Sequence, residues 1–186
     1  ATLGRLLLKN RSHRGYDARF VVRGDQLRRI IGVNAKIPSA RNQQVLRFRP
    51  VLADEAPKVL PHIRLGGALP ELHLPLPGTE PNAFIIICST VAEDRYVDID
   101  LGISAQSMLL QAVEIWLNGI CIGAFDKEPI RREFGLDAEP LLILALGKGI
   151  EKIVKIDLSK EEAEKFAASA DAVRKTNNVL HEIKAI

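Results

Sequence analysis

Apolar positions along the chain fall into a few periodic runs, separated by polar breaks marked by glycine or proline. Residues 2–8 are leucine-rich and predict a short helix that stops near Asn10. Asp25 stands where an N-cap is expected, and Leu27, Ile30, Ile31 and Asn34 follow at helical spacing. That helix has to end before Pro38, because the residue preceding a proline is pushed out of the α region. In 45–51, Leu46, Phe48 and Pro50 alternate with Arg47 and Arg49, the period of a half-buried strand with Pro50 at its end or edge. The unbroken apolar runs 83–88 and 141–146 have the length of buried strands, the second closed by Gly147-Lys148-Gly149. Residues 104–117 predict the strongest helix, with Ala105, Met108, Leu109, Ala112, Val113 and Trp116 in one stripe and Asn118-Gly119 as its stop. Residues 128–134 predict a short helix with Pro129 in its first turn. Ser159-Lys160-Glu161-Glu162 has the spacing of a capping box, and beyond Ala170 the pattern weakens.

Seven of the ten prolines lie between Pro50 and Pro81. They predict an irregular excursion over 53–82, with a short helix near 57–63, of the kind that often covers a site. Helices and strands are interspersed irregularly and nothing repeats, which favours an α+β fold over a βαβ array.

A length of 186 residues fits a single domain over 1–186 that buries a core without disulfides or a structural metal. The net charge of +3 permits anion binding but is no nucleic-acid footprint, which needs a clustered basic face. Cys88 and Cys121 sit in apolar runs and read as buried thiols of a reducing cytoplasm; they are too few and too far apart for zinc. The apolar runs fall short of the ~20 residues of a spanning helix, and the first residues lack a signal-peptide layout. The reading is a cytoplasmic protein with neither a membrane nor a nucleic acid as partner.

The sequence contains no phosphate loop, dinucleotide fingerprint, zinc-protease motif or nucleophile elbow. Its four histidines are scattered, with His62 and His73 expected on the surface, and no carboxylate pair stands out. A reactive group, for an enzyme, is then borrowed from a cofactor. Two polar loops offer binding chemistry. In Arg11-Ser12-His13-Arg14 two guanidiniums flank a hydroxyl, a set that can hold a phosphate or simply make a basic surface loop. Pro38-Ser39-Ala40-Arg41-Asn42-Gln43-Gln44 offers donors and acceptors to a polar ring edge, and the same residues also make turns. Arg49 and Arg132 are expected to be solvated.

Order and spacing bind these loops together. Arg-Ser-x-Arg-x-Tyr-Asp, a helix, and then Pro-Ser-Ala-x-Asn-x-Gln closely resembles the opening of FMN-dependent nitroreductases. Asp100-Leu101-Gly102 leading through Gln106 to Leu109-Leu110, then Asn118 to Phe125, is similar to that family's D-x-G-x-x-x-Q-x-x-L-L helix and the glycine-rich strand after it. Leu144-Ala145-Leu146-Gly147-Lys148-Gly149-x-Glu151 is similar to a strand-end turn of one branch. The resemblance covers roughly 5–157. It departs at Asn10, where many relatives have arginine, at Val45-Leu46, at Trp116 and Asn118, which replace glycines, and in a poorly matching tail over 159–186.

The resemblance implies an α+β nitroreductase-like fold, a mainly antiparallel sheet flanked by helices in an intertwined homodimer with FMN at the interface. Arg11, Ser12 and Arg14 would hold the phosphate and ribityl chain, with Lys148 completing the phosphate site. Pro38, Ser39, Ala40, Asn42 and Gln44 would approach the same flavin from the other subunit. Gly123 and Ala124 would present backbone N–H groups to its ring, where donors stabilise negative charge. No side chain need be catalytic. The implied reaction passes hydride from NAD(P)H to the flavin and then two electrons to a nitro- or quinone-type acceptor, a small molecule, in a ping-pong cycle. Dehalogenating or flavin-consuming chemistry on the same scaffold, or a non-catalytic dimeric module, stand as alternatives.

Overall fold

The computed structural model describes residues 1–67, 70–153 and 157–168. Four strands, β1 (Leu46–Val51), β2 (Ala83–Ser89), β3 (Asn118–Ile122) and β4 (Glu139–Gly147), form one sheet in the order β1-β2-β4-β3. Every pairing is antiparallel, so the sheet is wholly rather than mainly of that kind.

The central pair carries the uninterrupted apolar runs because both faces of the sheet are covered. Phe84, Ile86, Ile143 and Ala145 face one core, shared with Val59 and Leu65 of the proline-rich excursion and with Phe125 and Ile130. Ile85, Ile87, Leu144 and Leu146 face the other, packed by Leu27, Ile30, Met108 and Ala112. β1 is an edge strand, and this is why it tolerates Pro50: a residue with no N–H loses nothing on the unpaired side.

Helix α1 (Leu3–Lys9) stops at Asn10, whose N–H donates to the carbonyl of Leu6. Helix α2 (Gly24–Ile31) is capped two residues earlier than expected. Arg23 is the N-cap residue, and its backbone N–H donates to the Gln26 side chain. Asp25 instead takes a two-pronged ion pair from the Arg23 guanidinium. A 3-10 turn over Gly32–Ala35 ends the helical path before Pro38.

Helix α3 (Arg95–Glu114) begins nine residues before the expected start, at the N-cap Asp94, whose carboxylate accepts from the N–H groups of Tyr96 and Val97. The apolar stripe was readable only from Ser104, because the first turns carry Asp98 and Asp100. The helix also ends differently. Trp116 turns the chain at φ +67, and Asn118-Gly119 opens β3 instead of closing α3.

Helix α4 (Lys127–Glu133) carries Pro129 as its third residue. Helix α5 (Lys160–Ala168) has the reciprocal capping box, Ser159 N–H to Glu162 and Glu162 N–H to Ser159 Oγ. The rest of the weakly patterned tail, 169–186, lies outside the described residues.

The excursion forms 3-10 turns over Ala56–Lys58 and Leu60–His62 in place of a single helix. Three surface expectations change. Cys121 is exposed, since the edge strand β3 turns it away from the core while Cys88 is buried. Arg49 is half-buried in a bidentate pair with Glu55 and lies over the Phe134 ring. His62 is partly covered, with Nδ1 4.0 Å from the Asp126 carboxylate.

Candidate functional site

The first polar loop is laid across the ends of β3 and β4. Ser12 bridges Gly119 and Tyr16 bridges Gly149, and the N–H groups of His13 and Asp17 donate to the carbonyls of Gly119 and Lys148. Gly147 and Gly149 make room for it, and Gly119 lets β3 lie close to β4 and α3. A Cβ on Gly119 would come 2.8 Å from the carbonyl oxygen of Ala145, one on Gly147 would come 2.8 Å from the Tyr16 ring, and one on Gly149 would collide with the His13 imidazole.

Glu151 then closes over the loop. Its Oε1 accepts from the N–H groups of Arg14 (2.7 Å) and Gly15 (3.0 Å), and its Oε2 lies 2.9 Å from His13 Nδ1. Desolvation works to raise the Glu151 pKa, but the hydrogen bonds from His13 and from the two N–H groups outweigh it and hold the carboxyl below its ordinary range. Tyr16 is buried below, its hydroxyl donating 2.8 Å to the carbonyl of His13. Burial pushes that phenol far up and keeps it neutral.

Around this seat, Arg11, Ser12 and Arg14 come together with Lys148 at one end of the β3–β4 pair. Arg14 is notable. Its Nε is buried with no hydrogen-bond partner, and one guanidinium N–H reaches the Ser12 carbonyl at a long 3.4 Å. A buried unpaired donor on a cation is costly, and an anion is what would satisfy it. A groove of about 570 Å³ runs from Arg11 and Ser12 along the β3 edge past Gly119 to Cys121, with Gln106 on its α3 wall. Gln106 accepts from Asn10 Nδ2 at 3.1 Å. Gly123 and Ala124 leave the far end of β3 exposed. A Cβ on Gly123 would meet nothing within 4 Å, so the space beyond it is open. The Ala124 carbonyl accepts from the Arg64 N–H of the excursion, which is thereby tied beside this end of β3.

The second polar loop is anchored on α3. Asp100, 4% exposed, accepts from Ser39 Oγ (2.7 Å), Ala40 N–H (2.6 Å) and Gln43 Nε2 (2.9 Å). Burial works to raise its pKa, and these three bonds together bring it below the ordinary carboxylate range. Three residues here hold left-handed backbone, Arg41 (φ 53), Asn42 (φ 52) and Gln44 (φ 49). Such conformations cost free energy for non-glycine residues and persist where surrounding contacts fix them. The carboxylate of Asp100 ties down the residues around them, and the Gln44 N–H donates to Ser39 Oγ at 3.0 Å. Pro38, Ser39, Asn42 and Gln44 line a cavity of about 340 Å³ against Asp100 and Ser104.

Within one chain the two loops do not meet. The first lies beside Gly147, at the end of the sheet where Ala83 pairs with Leu146. The second enters β1 at Leu46, at the end where Ser89 pairs with Glu139. β2 has seven residues, so these ends are roughly 20 Å apart, and the two edge strands add three strand spacings of about 4.8 Å. The cavity at the second loop and the groove at the first have no lining residue in common.

His13, Gln106, Glu151 and Asp100 have no binding role of their own in the reading from sequence. A carboxylate on the buried side of a helix demands partners, and that signal was available for Asp100 had the helix been traced back past Ser104. Among the described residues no three or more His, Cys, Asp or Glu gather as a metal site. No described helix is long and apolar enough to cross a membrane.

The fold is shared with solved structures. A nitroreductase family protein from Clostridium difficile superposes with a TM-score of 0.64 at 23% identity, over 96% of this chain and 99% of that one. A candidate NAD(P)H:FMN oxidoreductase from Staphylococcus epidermidis gives 0.67 at 21% identity, over 86% and 93%. A candidate nitroreductase in complex with FMN from Exiguobacterium sibiricum gives 0.67 at 17%, over 88% and 96%. Among curated proteins, a stretch of 42 residues is 60% identical to malate dehydrogenase from Bacteroides fragilis. It makes up 22% of this chain, and the match spans only 13% of that relative's length, too little to define a family. The model of the nitroreductase family matches residues 7–148, the span that holds both polar loops and all four strands, and the chain belongs to that family.

Proposed function

We propose that this protein is an FMN-dependent oxidoreductase that works as a homodimer, drawing hydride from NAD(P)H and reducing a nitro- or quinone-type small molecule. The observation that carries the reading is the separation of its two polar loops to opposite ends and edges of one sheet. A two-fold partner is the simplest way to bring Pro38, Ser39, Ala40, Asn42 and Gln44 of one chain against the β3 groove of another.

The residues present fit the cofactor. FMN ends in a phosphate of roughly −1.5 to −2 charges, and Arg11, Ser12, Arg14 and Lys148 would hold it, satisfying the Arg14 Nε that is buried without a partner. Gly123 and Ala124, exposed just beyond Cys121 where the groove ends, would lie against the ring, where the bare Gly123 backbone leaves room. The chemistry FMN supplies when bound is two-electron transfer by a ping-pong cycle, from the nicotinamide to the flavin and then to the acceptor. The chain's own part is to bind, orient and exclude water, which agrees with a site built from arginines, amides and backbone. The Staphylococcus and Exiguobacterium relatives, described with FMN in their names, support the same cofactor.

The test is direct. The purified protein is expected to be yellow, to release FMN on heating, to scatter light as a dimer at micromolar concentration, and to bleach when mixed anaerobically with NADH or NADPH. A colourless monomer that neither nucleotide alters overturns the reading.

A further inference from the structure

We propose that Arg41 binds a phosphate of the nicotinamide dinucleotide donor, an assignment that rests on the reading above and adds a donor-recognition residue to it. Arg41 stands at the apex of the loop that Asp100 holds by three hydrogen bonds from residues on either side of it, Ser39, Ala40 and Gln43. Its backbone is left-handed, at φ 53, a conformation that an exposed arginine has no local reason to adopt. The result is a side chain carried on a loop tied to α3.

The guanidinium lies over Tyr96, its carbon 4.1 Å from the ring centroid. Several other arginines spend their donors on carboxylates: Arg19 on Asp17, Arg23 on Asp25, Arg49 on Glu55, Arg64 on Asp126. Among the described residues no carboxylate pairs with Arg41, and its only recorded contact is the Tyr96 ring. Stacking uses the face of a guanidinium and leaves its edge N–H donors directed outward, in a plane that matches two phosphate oxygens. The ring also restricts the side chain in advance, so less rotamer entropy is lost when an anion binds.

Position supplies the ligand class. Arg41 sits in the same loop as Ser39, Asn42 and Gln44, which the reading above brings against the flavin held in the partner's β3 groove. A nicotinamide that delivers hydride has to reach the flavin ring, so the rest of the dinucleotide must leave across the rim. The charges it carries out are phosphates. The sequence has no glycine-rich dinucleotide fingerprint to receive them, and a pre-oriented arginine at the rim does that work.

The experiment measures binding of NADP+ and NAD+, which carry the phosphates without donating hydride, to the flavin-loaded protein by calorimetry. The variants are Arg41→Gly, which removes the guanidinium while suiting the positive φ, and Arg41→Lys, which keeps the charge but not the fork. Arg41→Gly is expected to weaken binding about tenfold or more, the loss of one charge-assisted bond, with Arg41→Lys between it and the parent. A loss confined to NADP+ assigns the 2′-phosphate, and an equal loss for both assigns the pyrophosphate; each supports the proposal. Affinities within twofold of the parent for both nucleotides overturn it, as does a parent that binds neither. Flavin absorbance of the same samples reports separately on the cofactor, so a failure at Arg41 is distinguished from a failure of the FMN reading.

Discussion

The Oε2 atom of Glu151 lies 2.9 Å from Nδ1 of His13, across 138 residues of chain, and the other oxygen of the same carboxylate takes the next two backbone N–H groups. One side chain thus fixes the course of the loop that carries Arg11, Ser12 and Arg14. Because its folded pKa is lowered, the stability it adds is present in full above the ordinary glutamate value of about 4.3 and is lost as pH falls through the lowered one. Glu151→Gln is therefore expected to melt a few degrees below the parent at pH 7, with the gap closing below about pH 4. Thermal melts by circular dichroism across that range check it. A gap of the same size at pH 3 and pH 7 would show that charge is not what holds the loop.

Asp100 plays the matching part for the second loop. Asn in its place offers one acceptor oxygen and turns an amide N–H₂ toward donors, so at least one of the groups from Ser39, Ala40 and Gln43 loses its acceptor. Asp100→Asn is expected to cost about 1.5–3 kcal/mol and to free the left-handed segment. Cleavage by trypsin after Arg41 should then accelerate. Unchanged protection there would mean that the loop is held by other contacts.

Gly119 is required by packing. Its added Cβ would approach Leu109 Cδ2 to 2.6 Å and the Ala145 carbonyl oxygen to 2.8 Å. Leucine can rotate away, but a carbonyl in the middle of β4 cannot. Gly119→Ala is expected to destabilise by about 1–3 kcal/mol, the usual cost of overpacking, read as a shift of the urea midpoint. A midpoint equal to the parent's would show that the strand yields.

Much of this frame was legible in the sequence, and the failures have physical causes. The strands at 83–88 and 141–146 were visible because burial on both faces makes a strand uniformly apolar. β1 showed its alternation because it lies at an edge. The start of α3 was missed because Asp100 and Asp98 interrupt its stripe, although Asp100 is on the buried side for a reason: it serves a distant loop. The end of α3 was misplaced because Trp116 takes the left-handed turn where glycine is expected. Both candidate loops were found from residue type and order. Their clasps, Glu151 and Asp100, are long-range contacts, which leave no periodic trace.

Arg14 makes a prediction opposite in sign for fold and for ligand. Its Nε is buried without a partner, so the fold gains little from it, and Arg14→Ala is expected to leave the melting temperature of the flavin-free protein unchanged or raised. FMN retention should nonetheless fall at least about tenfold, since the phosphate loses a charge-assisted bond worth about 1.5–3 kcal/mol. Arg132→Ala, at an exposed position on α4, serves as the comparison. Flavin content after dialysis measures both, and equal retention in the two variants would remove Arg14 from the site.

Gly123 tests the ring end, where the expected result again separates ligand from fold. The space over its backbone is open, so a side chain there meets nothing in the chain itself, and Gly123→Val is expected to leave stability close to the parent's, in contrast to Gly119→Ala. If the bare backbone at 123 is where the flavin ring lies, the same valine stands in the ligand's place. Hydride transfer needs its donor and acceptor atoms at near-contact distance, and a displacement of about 1 Å costs on the order of a hundredfold in rate. Gly123→Val is thus expected either to lose its flavin or to keep it and be reduced by nicotinamide at about one hundredth of the parent's rate. Cys121→Ser, two residues back on the exposed face of β3, changes no volume beside the ring and should retain most turnover. Stopped-flow bleaching compares the three proteins, with urea midpoints measured alongside. A Gly123→Val protein that holds FMN and is reduced at the parent's rate would place the ring elsewhere. A loss of stability equal to that of Gly119→Ala would show that the open space over Gly123 belongs to the fold.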